Sequence, residues 1–181
     1  MLRKAIRKLT RSSRHYGAAD GGSAAIEFAM VSVPFFYMLG AVFEMGLMMF
    51  TEYTLQASVQ ESSRLIKTGQ AEKAAMTSSA FKNEICNTAG IIINCLADAT
   101  VYVDSKANFN TLQSSGPDDM TDIGPDSAAT FNSGAPGGAT TIIVTYDWEF
   151  VLPFMKFFGN IEGGSKRRLV GFAMFRNEPW S

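Results

Sequence analysis

The sequence predicts an α+β protein: one long N-terminal helix, apolar all round in its first half and one-sided in its second, packed on a small antiparallel sheet head. Three observations predict it. Residues 24–50 form a run interrupted by only two charges, Glu27 and Glu44. Beyond Phe50, Leu55, Val59, Ser62 and Ile66 recur at spacings of four, three and four, the stripe of an amphipathic helix. Farther on, residues 141–150 and 166–176 carry the alternation of strands.

Taken in order, residues 1–22 are a basic leader with six cations (Arg3, Lys4, Arg7, Lys8, Arg11 and Arg14) and one acid, Asp20. The apolar run that follows exceeds the roughly 20 residues that cross a bilayer. Positive charge before a span marks its cytoplasmic side, and only Arg64 and Lys67 follow closely, so the remainder is expected to face outward. An ordinary cleaved secretory signal has an apolar core of about 7 to 15 residues. This run is longer, and the first small-residue site after it, Ala57-Ser58, is weak. An uncleaved signal anchor fits length and charge equally well, but does not account for Gly22 or Glu27.

The helix is predicted to run from about Ala24 to Thr68, roughly 67 Å at 1.5 Å per residue. Gly69 ends it, and Lys67 in its last turn complements the macrodipole. The chain then divides into 23–69, a transmembrane and then amphipathic helix, and 70–181, an exported head. In the head a second helix is predicted from Ala71 to about Ile85, and a short strand from Ala99 to Asp104. A long surface loop follows at about 105–139, its turn signals being Gly116-Pro117, Gly124-Pro125 and Pro136-Gly137-Gly138. In Thr141–Phe150, Ile142, Val144, Tyr146, Trp148 and Phe150 share one face, which is core. Thr141, Thr145, Asp147 and Glu149 share the other, with Ile143 as the exception. In Lys166–Arg176 both faces are apolar, so both should be covered. Cys86 and Cys95 lie nine apart in the outward-facing part, where an oxidising compartment favours a disulfide, the other reading being two buried thiols.

Composition removes several function classes. Subtracting the leader's six cations and one acid from 16 basic and 17 acidic residues leaves 10 against 16 in residues 23–181, a charge of −6. A mildly acidic body argues against nucleic acid as a partner. The single histidine, His15, lies in the leader, so the head holds no Ser/His/Asp or Cys/His catalytic set. Two lone cysteines cannot make a structural zinc site, and no phosphate-binding Gly-Lys-Ser/Thr loop occurs. Asp118, Asp119, Asp122 and Asp126 cluster without the spacing of a calcium-binding EF-hand, which reads as a solvated loop. No enzymatic role, metal or cofactor is predicted.

The chemistry that is present sits at Gly22-Ser23-Ala24-Ala25-Ile26-Glu27-Phe28. An acid near the centre of a span is unfavourable by about 2.5 to 3.5 kcal/mol, and by less toward its ends. Cutting between Gly22 and Ser23 would create an α-ammonium four residues before Glu27, about 6 Å along a helix. That amine, of the same chain or a neighbour's, would neutralise the carboxylate. The other reading of Glu27 is an acid snorkelling to the interface. Glu44, 17 residues farther on, is a subunit contact or register mark, or else an interfacial residue. Pro34 lacks an N–H donor and is expected to kink or loosen the span. Gly40 and Gly46 allow close helix approach.

That seam resembles a class III (type IVb) prepilin, with its basic leader, Gly before the cut, Glu at the fifth mature position and an aromatic after it. More narrowly, the chain is similar to the TadE-like minor pseudopilins of tight-adherence (Flp) pilus systems. The supporting residues are the seam, Phe43-Glu44-Met45-Gly46, the stretch Gln60-Glu61-Ser62-Ser63-Arg64-Leu65-Ile66-Lys67-Thr68-Gly69-Gln70, and the closing Phe175-Arg176-Asn177-Glu178-Pro179. The resemblance implies a pilin-like fold, processing by a prepilin peptidase at Gly22/Ser23, and a need for Glu27 in processing or assembly. It implies a bacterial cytoplasmic (inner) membrane location and, as partners, other pilins and minor pseudopilins, the tight-adherence secretion platform and the lipid bilayer. The competing reading is a signal-anchored extracytoplasmic binding module or adhesin.

Overall fold

A computed structural model of the chain describes residues 21–90, 94–125, 130–161 and 164–180. Helix α1 (Gly21–Lys67) is followed by α2 (Gln70–Lys73), α3 (Ser78–Ala89), α4 (Cys95–Asp98), strand β1 (Ala99–Lys106) and α5 (Phe109–Ser115). A 3-10 turn at Met120–Asp122, strand β2 (Ala139–Glu149), a second 3-10 segment at Pro153–Phe158 and strand β3 (Lys166–Arg176) complete the order. The sheet is antiparallel throughout in the order β1-β2-β3. This is the predicted α+β layout. The chain falls into two compact units, Met1–Phe43 and Glu44–Ser181, and α1 contributes to both.

Within the second unit, α1 buries Met48, Leu55, Val59 and Ile66 on one stripe. The stripe meets β3 at Gly171, where an added Cβ would lie 2.9 Å from Val59 Cγ2 and 3.3 Å from the Leu55 carbonyl oxygen. Glycine therefore sets how near the helix comes. At that distance Gln56 reaches the open edge of β3. Its Oε1 accepts from the Phe172 amide at 2.8 Å and its Nε2 donates to the Phe172 carbonyl at 2.8 Å, while Gln60 Nε2 donates to the same carbonyl at 3.0 Å. An edge strand exposes unpaired backbone groups; here two glutamines occupy one residue's pair of them.

Strand β2 is more buried than its alternation predicts. From Ala139 to Tyr146 every residue is buried, Thr141, Ile143 and Thr145 included. Val144 pairs with Gly171 and so shares the α1 side, whereas Thr141 and Ile143 line a groove under α5 and Thr145 Oγ1 donates to the Ile123 carbonyl at 2.8 Å. The second face is thus core as well, because the segment after β1 folds over it. On β3 the α1 side (Leu169, Gly171, Ala173) is buried and the other is partly open.

That segment also differs from a plain loop. Asn108 Oδ1 accepts from the Thr111 amide at 2.9 Å and caps α5, whose Leu112 is buried. Cross-strand partners Asp147 and Arg168 form a two-pronged ion pair at 2.6 and 2.9 Å, and Arg168 Nη1 donates to the Thr121 carbonyl at 2.8 Å. Asp119 accepts from the Thr121 amide at 2.8 Å, and this amide and the Thr121 side chain hold its carboxyl below the usual carboxylate range. The single helix predicted over Ala71–Ile85 is two: Ala75 takes a positive φ of 46°, and Thr77 Oγ1 accepts from the Ala80 amide at 3.2 Å to start α3 afresh. A threonine that caps competes with helix continuation. Cys86 and Cys95 are joined in a disulfide that ties α3 to α4, with Cα atoms 5.7 Å apart.

Gly171→Ala is expected to lower the unfolding free energy by about 1 to 3 kcal/mol through overpacking, measured by urea denaturation of the full chain in detergent. Replacing both cysteines by serine is expected to lower it by somewhat less than the roughly 3 kcal/mol of a 15-residue loop. The same titration under oxidising conditions reads it.

Candidate functional site

The first turns of α1 bring the seam residues into one place. Ser23 and Glu27 are a helical turn apart, and the Ser23 hydroxyl donates to Glu27 Oε1 at 2.9 Å. Gly22, Ser23, Glu27 and Phe28 are all exposed, and the Cβ position of Gly22 meets nothing within 4 Å. His15 and the leader's cations lie outside the described residues. Pro34 lies within the helix, which runs without interruption from Gly21 to Lys67. Around it Phe35, Phe36, Met38, Val42 and Phe43 present apolar surface. Among the described residues, α1 is the one helix long and apolar enough to cross a membrane.

Glu44 opens the second unit and is 7% exposed. Its Oε1 accepts from the Val151 amide, and its Oε2 accepts from the Leu152 amide at 3.2 Å. These amides precede the 3-10 segment Pro153–Phe158. The carboxylate therefore takes two backbone donors in place of water. Periodicity gives no hint of this partner, which is 107 positions away. Gly46, two residues on, is exposed with nothing within 4 Å of its Cβ position, so its face is open to close approach.

The other end of α1 is sealed by the C-terminal segment. The Glu178 amide donates to the Lys67 carbonyl at 2.9 Å, and Trp180 Nε1 donates to Glu72 Oε2 at 3.2 Å. The indole lies over Gly69, whose φ of 76° and bare Cα no other residue would match: a Cβ there would fall 2.4 Å from Trp180 Cδ2. Buried Asn177 receives the Thr140 hydroxyl at 3.0 Å and donates through Nδ2 to the Ser133 and Ala135 carbonyls. The stretches 60–70 and 175–179, both quoted above for the resemblance, thus meet in space.

Among the described residues no three His, Cys, Asp or Glu side chains gather as a metal site. Asp126 lies outside those residues. The sequence reading missed Gln56 and the run Phe150–Phe158. For the run the signal was available: nine residues, apolar but for Lys156 and Pro153.

One apolar helix with an exposed acid at its start, bearing an α+β head, is the layout of a single-anchor protein. The sequence model of the TadE-like protein family matches residues 22–64, and that segment is similar to the family. Neither the curated proteins nor the solved structures returned a match.

Glu44→Ala is expected to leave the Val151 and Leu152 amides without their carboxylate acceptor and to lower stability by about 1.5 to 3 kcal/mol, the range for hydrogen bonds to charged groups. Faster amide hydrogen exchange at Val151 and Leu152 locates the loss, and Glu44→Gln, which keeps one acceptor, should recover part of it.

Proposed function

We propose that the chain is a minor pseudopilin of a tight-adherence (Flp, type IVb) pilus, a structural protein and not an enzyme, trimmed by a prepilin peptidase between Gly22 and Ser23. The observation that carries this reading is the TadE-like match, which begins at Gly22 and covers the seam and the whole apolar half of α1. The 2.9 Å contact from Ser23 to Glu27 supports the chemistry, since an ammonium on Ser23 would stand within reach of the same carboxylate. Neutralising that acid in a low-dielectric setting favours entry of α1 into a bundle of like helices. The leader's six cations support a cytoplasmic N-terminus and an outward head in the bacterial inner membrane. Its partners are then the peptidase, other pilins and minor pseudopilins, the secretion platform and the bilayer. The size of the head supports a minor component.

A signal-anchored binding module or adhesin is the second reading, favoured by the apolar groove of about 400 Å³ between α5 and the sheet, lined by Phe109, Leu112, Ile143 and Phe172 among others.

Intact mass of the protein purified from cells separates the two. The pseudopilin reading expects a chain that starts at Ser23, and a chain that still carries the leader overturns it. Glu27→Ala is expected to abolish surface pili by electron microscopy; normal piliation in that variant contradicts the role given to Glu27.

A further inference from the structure

The segment Val151–Phe158 turns most of its apolar side chains outward although hydrogen bonds tie it at both ends. Val151 is 82% exposed and Phe157 is 90% exposed, with Phe154 and Phe158 about half exposed. These are not residues of a slack loop. Glu44 takes the Val151 and Leu152 amides, Met155 is buried as the anchor of the 3-10 segment, and Arg167 Nη1 donates to the Phe158 carbonyl at 3.4 Å. A fixed cluster of exposed aromatic and aliphatic side chains marks a surface meant for an apolar partner.

Two features identify that partner. The first is level. Glu44 directly follows the apolar stretch Ala24–Phe43, whose 20 residues amount to about 30 Å of helix, the thickness of a hydrocarbon core. A segment bonded to Glu44 therefore stands where that stretch leaves the lipid. The second is charge: Lys156 projects from the same segment and Arg167 borders it, the pairing of apolar wedge and cations that suits the headgroup zone of a bilayer.

We propose that Val151–Phe158 is a second membrane contact, dipping Phe157 and its neighbours into the outer headgroup region of the bilayer that α1 crosses, with a preference for anionic lipid. The proposal rests on α1 being a membrane anchor. It gives the head a membrane contact of its own in addition to the anchor.

The test uses the full chain in nanodiscs of phosphatidylcholine, with or without phosphatidylglycerol, doped with a lipid carrying a photoactivated diazirine on its acyl chain. Labelled peptides are mapped by mass spectrometry. The expected result is label on both 26–43 and 151–158. Label at 151–158 should fall about fivefold in Lys156→Gln on anionic discs, the worth of one surface cation, and also fall in Phe157→Ser, while label on 26–43 is unchanged. Label confined to 26–43 overturns the second contact and keeps the anchor. Label at neither overturns both. A bifunctional protein cross-linker added to the same discs that joins 151–158 of two chains, with no lipid adduct on 151–158, also overturns the proposal, since it assigns the surface to a second copy.

Discussion

The head depends on one constraint: the outer edge of β3 has to be satisfied by a helix and not by another strand. A three-stranded sheet leaves a row of unpaired amides and carbonyls on each edge, and an open edge recruits foreign strands. In this protein Gln56 and Gln60 supply side-chain amides that imitate a neighbouring strand at Phe172. They reach only because Gly171 lets α1 settle against the sheet beside Leu55 and Val59. One absent methyl group thus governs both the packing distance and the register of the helix along β3. The opposite edge is handled differently, by Phe131 and its neighbours bridging Val103 on β1.

Much of this arrangement was legible in the residues. The stripe at Leu55, Val59 and Ile66 is buried, and strands appear at the three predicted places, because apolar periodicity reports which face is covered. What periodicity cannot report is the identity of a distant cover. The threonines of β2 read as a solvent face, yet they lie beneath α5 and the 120s turn, elements whose helix signal is only seven and three residues long. The break between α2 and α3 was likewise hidden, since Thr77 is a poor helix residue only when its hydroxyl finds the Ala80 amide.

At the candidate site the same division holds. The Ser23 and Glu27 pairing is local, four residues apart, and spacing alone exposes it. Glu44 is the opposite case. An acid at the end of an apolar helix admits several explanations from sequence, and the two backbone donors that engage it arrive from a segment more than a hundred positions away. The stretches 43–46, 60–70 and 175–179, which look unrelated along the chain, belong to the two closures of one helix.

The Trp180 indole over Gly69 has a consequence for biogenesis. Its hydrogen bond to Glu72 joins residues 108 positions apart, so a ribosome adding about 5 to 20 residues per second needs on the order of 5 to 20 seconds between making the two. Throughout that interval the apolar half of α1 is already made while the end of the helix stays uncovered. The apolar half of α1 is therefore synthesised well before the contact that closes the head can form.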